Sequence, residues 1–222
     1  MTDLALPNQQ RLVKMTRSRR LLRWLVSDLR ATLAILVLLG LVIVAIGAPW
    51  LAPYRPTAQD VNNMLAAPSA AHLLGTDDLG RDIFSRLIHG APATVYASLL
   101  AVSVAVAIGL PVGLIAGFFG GYTDDIISRV IDTFLSFPAI VLAIAVTGAL
   151  GIGLTNGMIA VGIVMFPSLA RIVRARTLIV RQELYVDASR CFGAPSWHIL
   201  WKHVLPNALQ PVIVQVLSLI HI

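Results

Sequence analysis

The sequence predicts an all-α protein, a polytopic bundle of transmembrane helices, and three observations carry that prediction. Of 222 residues, 57% are hydrophobic and only 13% charged, about half the charged share of an average soluble domain. The mean hydropathy is +0.82. The charges are also gathered into segments separated by long charge-free runs, and a bilayer core of roughly 30 Å takes about 20 such residues per helical crossing.

The first run, 31–54, closes on Ala48-Pro49-Trp50, where a proline can end a helix and an indole suits the interface. It is assigned as the first transmembrane helix, after a basic segment at 1–30. That segment with its apolar run is not a cleavable signal, because the run is too long and lacks a small-x-small exit. The next run, 87–123, opens with the turn signal His89-Gly90-Ala91-Pro92. The second crossing is therefore expected from about Val95 to Phe119, with 55–94 as an extracytoplasmic loop. Run 133–170 has room for two helices, and Gly148, Gly151, Gly153, Asn156 and Gly157 interrupt it. It reads as a third span, a tight turn and a fourth. The last run, 204–222, provides a short fifth span after Pro206.

Orientation follows from the basic residues. Of 17 Lys and Arg, seven precede the first span, three lie between the first and second, one between the second and third, none between the third and fourth, and six between the fourth and fifth. By the positive-inside rule the N-terminus and the long segment 171–206 are cytoplasmic. The net charge of +6 is thus a property of topology, with anionic lipid as the natural partner of Arg17, Arg19, Arg20 and Arg23, and nucleic acid is not an expected partner.

Within the second span Gly109, Gly113, Gly117 and Gly121 recur every fourth residue, a stripe on which another helix can pack closely. Pro111 adds a potential kink. Asp132, close to the third span, has Arg129 one turn earlier on the same face, the spacing of an interfacial ion pair. No GxxxxGK[ST] loop, HExxH pair or nucleophile elbow occurs, and the single cysteine, Cys191, excludes an internal disulfide. Neither catalysis nor a metal site is expected, and the chain cannot hydrolyse ATP alone by P-loop chemistry.

The segment 171–206 is too long for a minimal connection and helical in composition, so it reads as a cytoplasmic helical unit. Asp187-Ala188-Ser189 offers an acid and small side chains, followed by Gly193 and by Leu205-Pro206, the proline being expected to end the unit before the fifth span. The stretch 185–207, YVDASRCFGAPSWHILWKHVLPN, resembles the EAA loop of binding-protein-dependent ABC importer permeases. The external stretch 74–90, LGTDDLGRDIFSRLIHG, resembles the C-type permease of the dipeptide, oligopeptide and nickel importers. Phe137-Pro138, Ala170-Arg171 and Arg174 fit the same group.

That resemblance implies the type I ABC importer permease fold, with 95–222 as the permease transmembrane domain and 171–206 as its coupling loop. It implies an inner-membrane subunit, N-terminus cytoplasmic, that forms a path for peptides or a related small solute such as nickel. Its partners would be a second permease, ATP-binding cassette subunits and an extracytoplasmic solute-binding protein. No cofactor is implied for the chain itself, ATP being used by the partner subunits. Asp187, Ala188, Ser189 and Gly193 would contact the ATPase, and Leu205 and Pro206 would brace the loop. The triplet is Asp-Ala-Ser where the family has Glu-Ala-Ala, keeping charge and small volume. Such permeases have a sixth span, so a C-terminus truncated before it is expected here. A non-transporting scaffold or inactive permease remnant is the alternative reading. For Gly75 to Asp82, a structural turn and a contact with the binding protein both stand open.

Overall fold

The computed structural model describes residues 29–220, so most of the expected basic segment 1–30 and the last two residues lie outside it. The chain forms two compact units, residues 1–92 and 93–222. Among the described residues every regular element is helical, with one isolated bridge, Thr76 to Asp82.

In the first unit α1, Leu29–Leu51, is a 23-residue helix whose apolar side chains are nearly all exposed, as on a helix solvated by lipid. At about 35 Å it is long enough to cross. After a loop with one 3₁₀ turn, Val61–Asn63, the chain enters α2, Ile83–Phe119. This helix begins at Ile83 and not near Val95, and it runs through His89-Gly90-Ala91-Pro92 without a break. Two contacts explain the earlier start. Asp82 caps it, its Oδ2 accepting from the Ser85 N–H at 2.7 Å, and the His89 ring nitrogen lies 2.9 Å from the Ser85 carbonyl. A turn at Pro92 would release several backbone groups where a helix costs one hydrogen bond, so local propensity loses.

The second unit holds the rest of α2 and the helices α3 (Gly121–Ser136), α4 (Ala139–Leu150), α5 (Leu154–Val180), α6 (Leu184–Cys191), α7 (Ser196–Ile199) and α8 (Leu205–Ile220). The expected third span is split: α3 and α4 meet at 95°. Pro138 imposes the break, since the residue before a proline is driven out of the helical region, and Phe137 is extended at φ −84°, ψ 139°. The expected tight turn lies at Gly151 to Gly153, where Asn156 donates to the carbonyls of Leu150 and Gly151 at 2.8 and 3.1 Å and so satisfies the end of α4.

Helix α5 continues to Val180, so 171–180, placed by the sequence in the cytoplasmic loop, is the end of a long helix. Pro206 does not end the coupling segment either. A π-helical turn, Leu200–Val204, joins α7 to α8 without interruption, and Pro206 sits in the first turn of α8. Proline lacks the donor that the Lys202 carbonyl needs and its ring crowds that carbonyl; the wider π turn just before it accommodates both.

Three helices among the described residues are long and apolar enough to cross a membrane, or four if the bent pair α3–α4 counts as one span. The sequence expectation was five. With 16 described residues, α8 is shorter than a full crossing.

Candidate functional site

In the first unit the motif at 75–82 is a closed hydrogen-bonded turn. The Asp77 Oδ1 accepts from the N–H groups of Leu79 and Arg81, both at 2.9 Å, and Oδ2 accepts from Arg81 Nε at 2.8 Å and from Arg86. Burial works to raise the Asp77 carboxyl, but the Leu79 and Arg81 N–H donors and the Arg81 guanidinium outweigh it and hold the group at about 2. Asp82, similarly, is kept below the ordinary carboxylate range despite its burial, by Ser85 and His72. His72 Nδ1 lies 3.0 Å from Asp82 Oδ1 and its ring packs on Tyr54. The Tyr54 N–H donates to Ser85 Oγ at 3.1 Å, tying the exit of α1 to the entry of α2. Gly80 has φ +70° with the Asp60 backbone against it, which leaves no room for a side chain. Of the acids in the motif, Asp78 is the one turned to solvent.

In the second unit the glycines of α2 face α5. A Cβ on Gly109 would lie 2.9 Å from the Phe166 carbonyl oxygen, on Gly113 2.5 Å from that of Ala170, and on Gly117 2.6 Å from Thr177 Cβ. The contacts climb both helices together, so α2 and α5 are parallel neighbours, and the chain must return between them through α3 and α4. Gly121 is a correction: it opens α3 with φ +53° and faces open space, outside the seam. The sequence missed the answering position on α5, Gly162, which receives Ala101 and Val104 of α2. It also missed Arg181, which donates to the carbonyls of Gly117 and Phe118 at 3.1 and 3.4 Å and closes the C-terminus of α2.

Two arginines of α5 hold α3. Arg174 binds Asp124 with both ends of its fork, Nη2 to Oδ2 at 2.6 Å, and Arg171 binds Asp132 at 2.5 Å. Asp132 therefore pairs across helices, and not with Arg129 on its own. The packing of Ile131 and Phe134 against Phe166 and Ala170 brings the two helices side by side, which puts Arg171 within reach. A cleft of about 310 Å³ opens beside these pairs, lined by Ser128, Ile131, Asp132, Arg171 and Arg174.

The coupling residues gather on and around α6. Val186 is fully buried and joins Ile199, Leu200 and Val204 in one core with Leu114 and Phe118 of α2 and Leu169 and Val173 of α5. This fixes one side of α6 and turns Asp187 and Ala188 outward, with Ser189 half-buried and its Oγ donating to the Tyr185 carbonyl at 2.8 Å. Asp187 meets Arg190 at 3.3 Å on the surface. Gly193 ends the helix at φ +77°: its N–H donates to Arg190 O at 2.9 Å and the Ala194 N–H to Ser189 O at 3.1 Å, a Schellman closure. Its neighbourhood is open, so the glycine is needed here for backbone conformation. Leu205 packs on the core, whereas Pro206 is exposed. Around the small residues stand Leu184, 86% exposed, Phe192, 90% exposed, and Trp197, 62% exposed. Outside lipid such a patch marks a surface for another protein.

Residues 109–220 match the family described as binding-protein-dependent transport system inner membrane component, and residues 17–68 match the N-terminal TM domain of oligopeptide transport permease C. The chain belongs to the first of these families. Its members are components of membrane transport systems, in agreement with the all-α architecture and apolar helices. Similar proteins include a probable D,D-dipeptide transport system permease of Escherichia coli strain K12, 43% identical over 85% of this chain and 63% of the relative. A dipeptide transport system permease of Alkalihalophilus pseudofirmus is 36% identical over 83% of this chain and 61% of its own length. A glutathione transport system permease of Shigella flexneri is 45% identical over 82% and 60% respectively. The chain thus spans less than two thirds of the length of these relatives. The family match covers both the glycine seam from Gly109 and the whole of α6 to α8.

Proposed function

We propose that this chain is a permease subunit of an ATP-driven importer of small peptides in the bacterial inner membrane. With a second permease it forms the solute path. An extracytoplasmic binding protein delivers the solute, and ATP-binding cassette subunits dock on α6. Nothing in the named relatives points to nickel, so peptides are the favoured solute. The observation that carries the reading is the construction of α6: a short helix pinned from behind by Val186, presenting Asp187 and Ala188 beside exposed Phe192 and Trp197. A partner that moves this helix moves the core it shares with α2, α5 and α8. In this scheme the acid meets a basic partner group, the small side chains admit close approach, and Leu205 and Pro206 brace the connection into α8. The distribution of basic residues supports a cytoplasmic N-terminus and a cytoplasmic α6.

The test combines docking and topology. The chain, purified with its second permease and ATPase subunits, should lose the ATPase when Ala188 is replaced by Trp, and labelled dialanine uptake should fall with it. A reporter active only outside the cytoplasm should work when fused near Asn62 and fail near Glu183. Full ATPase recovery with the Ala188→Trp chain would remove the docking assignment, and the reversed reporter pattern would overturn the orientation.

A further inference from the structure

The cytoplasmic end of α2 is gripped from two sides by groups that belong to the coupling segment. Arg181, which caps the end of α5, donates to the Gly117 and Phe118 carbonyls. Arg190, on α6, carries its guanidinium carbon 5.9 Å from the centre of the Phe118 ring, within reach of a cation–π contact. The same Arg190 pairs with Asp187 at 3.3 Å. Phe118 is itself buried in the core that contains Val186. One side chain therefore touches both the acid proposed to receive the ATPase and the last turn of the helix whose glycines seat α5.

From this juxtaposition we propose that Arg190 is a positioning residue, a relay that makes α6 and the end of α2 move as one body. The inference rests on the reading of α6 as the docking helix. Both members of the Asp187–Arg190 pair are about half exposed, and exposed pairs of this kind contribute little net stability. A basic partner group can therefore share Asp187 at little cost. The added positive charge beside Arg190 favours its seat on the Phe118 ring, whose face attracts cations. Docking at Asp187 is thereby felt by α2 through this polar contact as well as through the apolar core that α6 shares with α2, α5 and α8. Arg181 holds the receiving end in place, because the carbonyls it binds belong to the turn that carries Phe118.

The experiment measures the distance between nitroxide labels on native Cys191, which is exposed on α6, and on a cysteine introduced by Ile115→Cys in α2. It is made on the importer assembled with its partner subunits, without nucleotide and after trapping with ATP and vanadate. The expected result is one narrow distribution in both states. Arg190→Gln and Phe118→Leu should each lose the single peak on trapping, the double variant should be no worse than either alone, and Arg190→Lys should recover the narrow peak. Distributions that stay narrow in Arg190→Gln and Phe118→Leu, or effects that accumulate in the double variant, overturn the relay. Recovery of the ATPase subunits separates the two readings. If Arg190→Gln loses them, Arg190 belongs to the docking contact and is no relay. If Asp187→Ala and Ala188→Trp both retain them, the docking reading fails and the relay falls with it.

Discussion

Replacing Gly113 by alanine adds one methyl group at the narrowest point of the α2–α5 seam. That carbon would lie 2.5 Å from the Ala170 carbonyl oxygen and 2.6 Å from Val173 Cβ. Both neighbours are fixed to the backbone of α5, so no side-chain rotation relieves the contact, and the helices must separate by several tenths of an ångström along a seam that also includes Gly109 and Gly117. Overpacking of this kind costs about 1–3 kcal/mol, while exchanging glycine for alanine in a helix returns about 1 kcal/mol. The net expectation is a loss of up to about 2 kcal/mol. Gly148→Ala is the matched comparison, because it lies in α4 with nothing within 4 Å and should keep the whole propensity gain. Thermal midpoints of the two variants in the same nanodiscs should fall on opposite sides of the parent, at roughly 2–4 °C per kcal/mol. A Gly113→Ala midpoint equal to that of Gly148→Ala would refute the close-packed seam.

Gly193→Ala should destabilise by about 1 kcal/mol, because φ +77° strains an L-residue whatever the space around it, and Gly193→Asn should lose less; midpoints measured as above decide it. The turn at 75–82 should be acid-resistant. A carboxyl whose folded value is depressed contributes stability that is complete above its unfolded value of about 4. For Asp77 that contribution fades as pH falls towards about 2, so protection of the Leu79 and Arg81 amides from hydrogen exchange should hold from pH 7 to about 4 and then decline. In Asp77→Asn the protection should be low throughout, without that decline. Arg174→Gln leaves the half-buried Asp124 without its fork and should cost about 2 kcal/mol. Exchanging the two residues should restore part of that loss, and a neutral Arg174→Gln would show that α3 is held by its apolar face alone.

The glycine stripe shows where sequence reasoning stops. Four glycines at a spacing of four are legible as one helix face only while the helix lasts, and α2 ends at Phe119. Gly121 shares the spacing and not the face. The motif at 75–82 was legible as an Asp/Gly turn, and the structure shows the Asp77 and Asp82 carboxylates turned inward while Asp78 faces solvent. The arginines at 171–176 end the charge-free run but not the helix, because apolar residues continue between them to Val180. The pairing of Asp132 followed the nearest base in the chain, Arg129, because the competing partner lies 39 residues away on another helix. Arg181, 64 residues from Gly117, offers no local signal.

The sequence by itself determined the helical class, the places of the apolar runs and the resemblance that pointed to the family. These follow from composition and short-range spacing, because backbone hydrogen bonding in lipid must close within each helix. Only the tertiary structure decided which glycines pack against α5, which acid meets which arginine, and that α6 reaches the end of α2. Those facts arise from helices brought together by packing, at separations of tens of residues along the chain, where a local pattern carries no information about the partner.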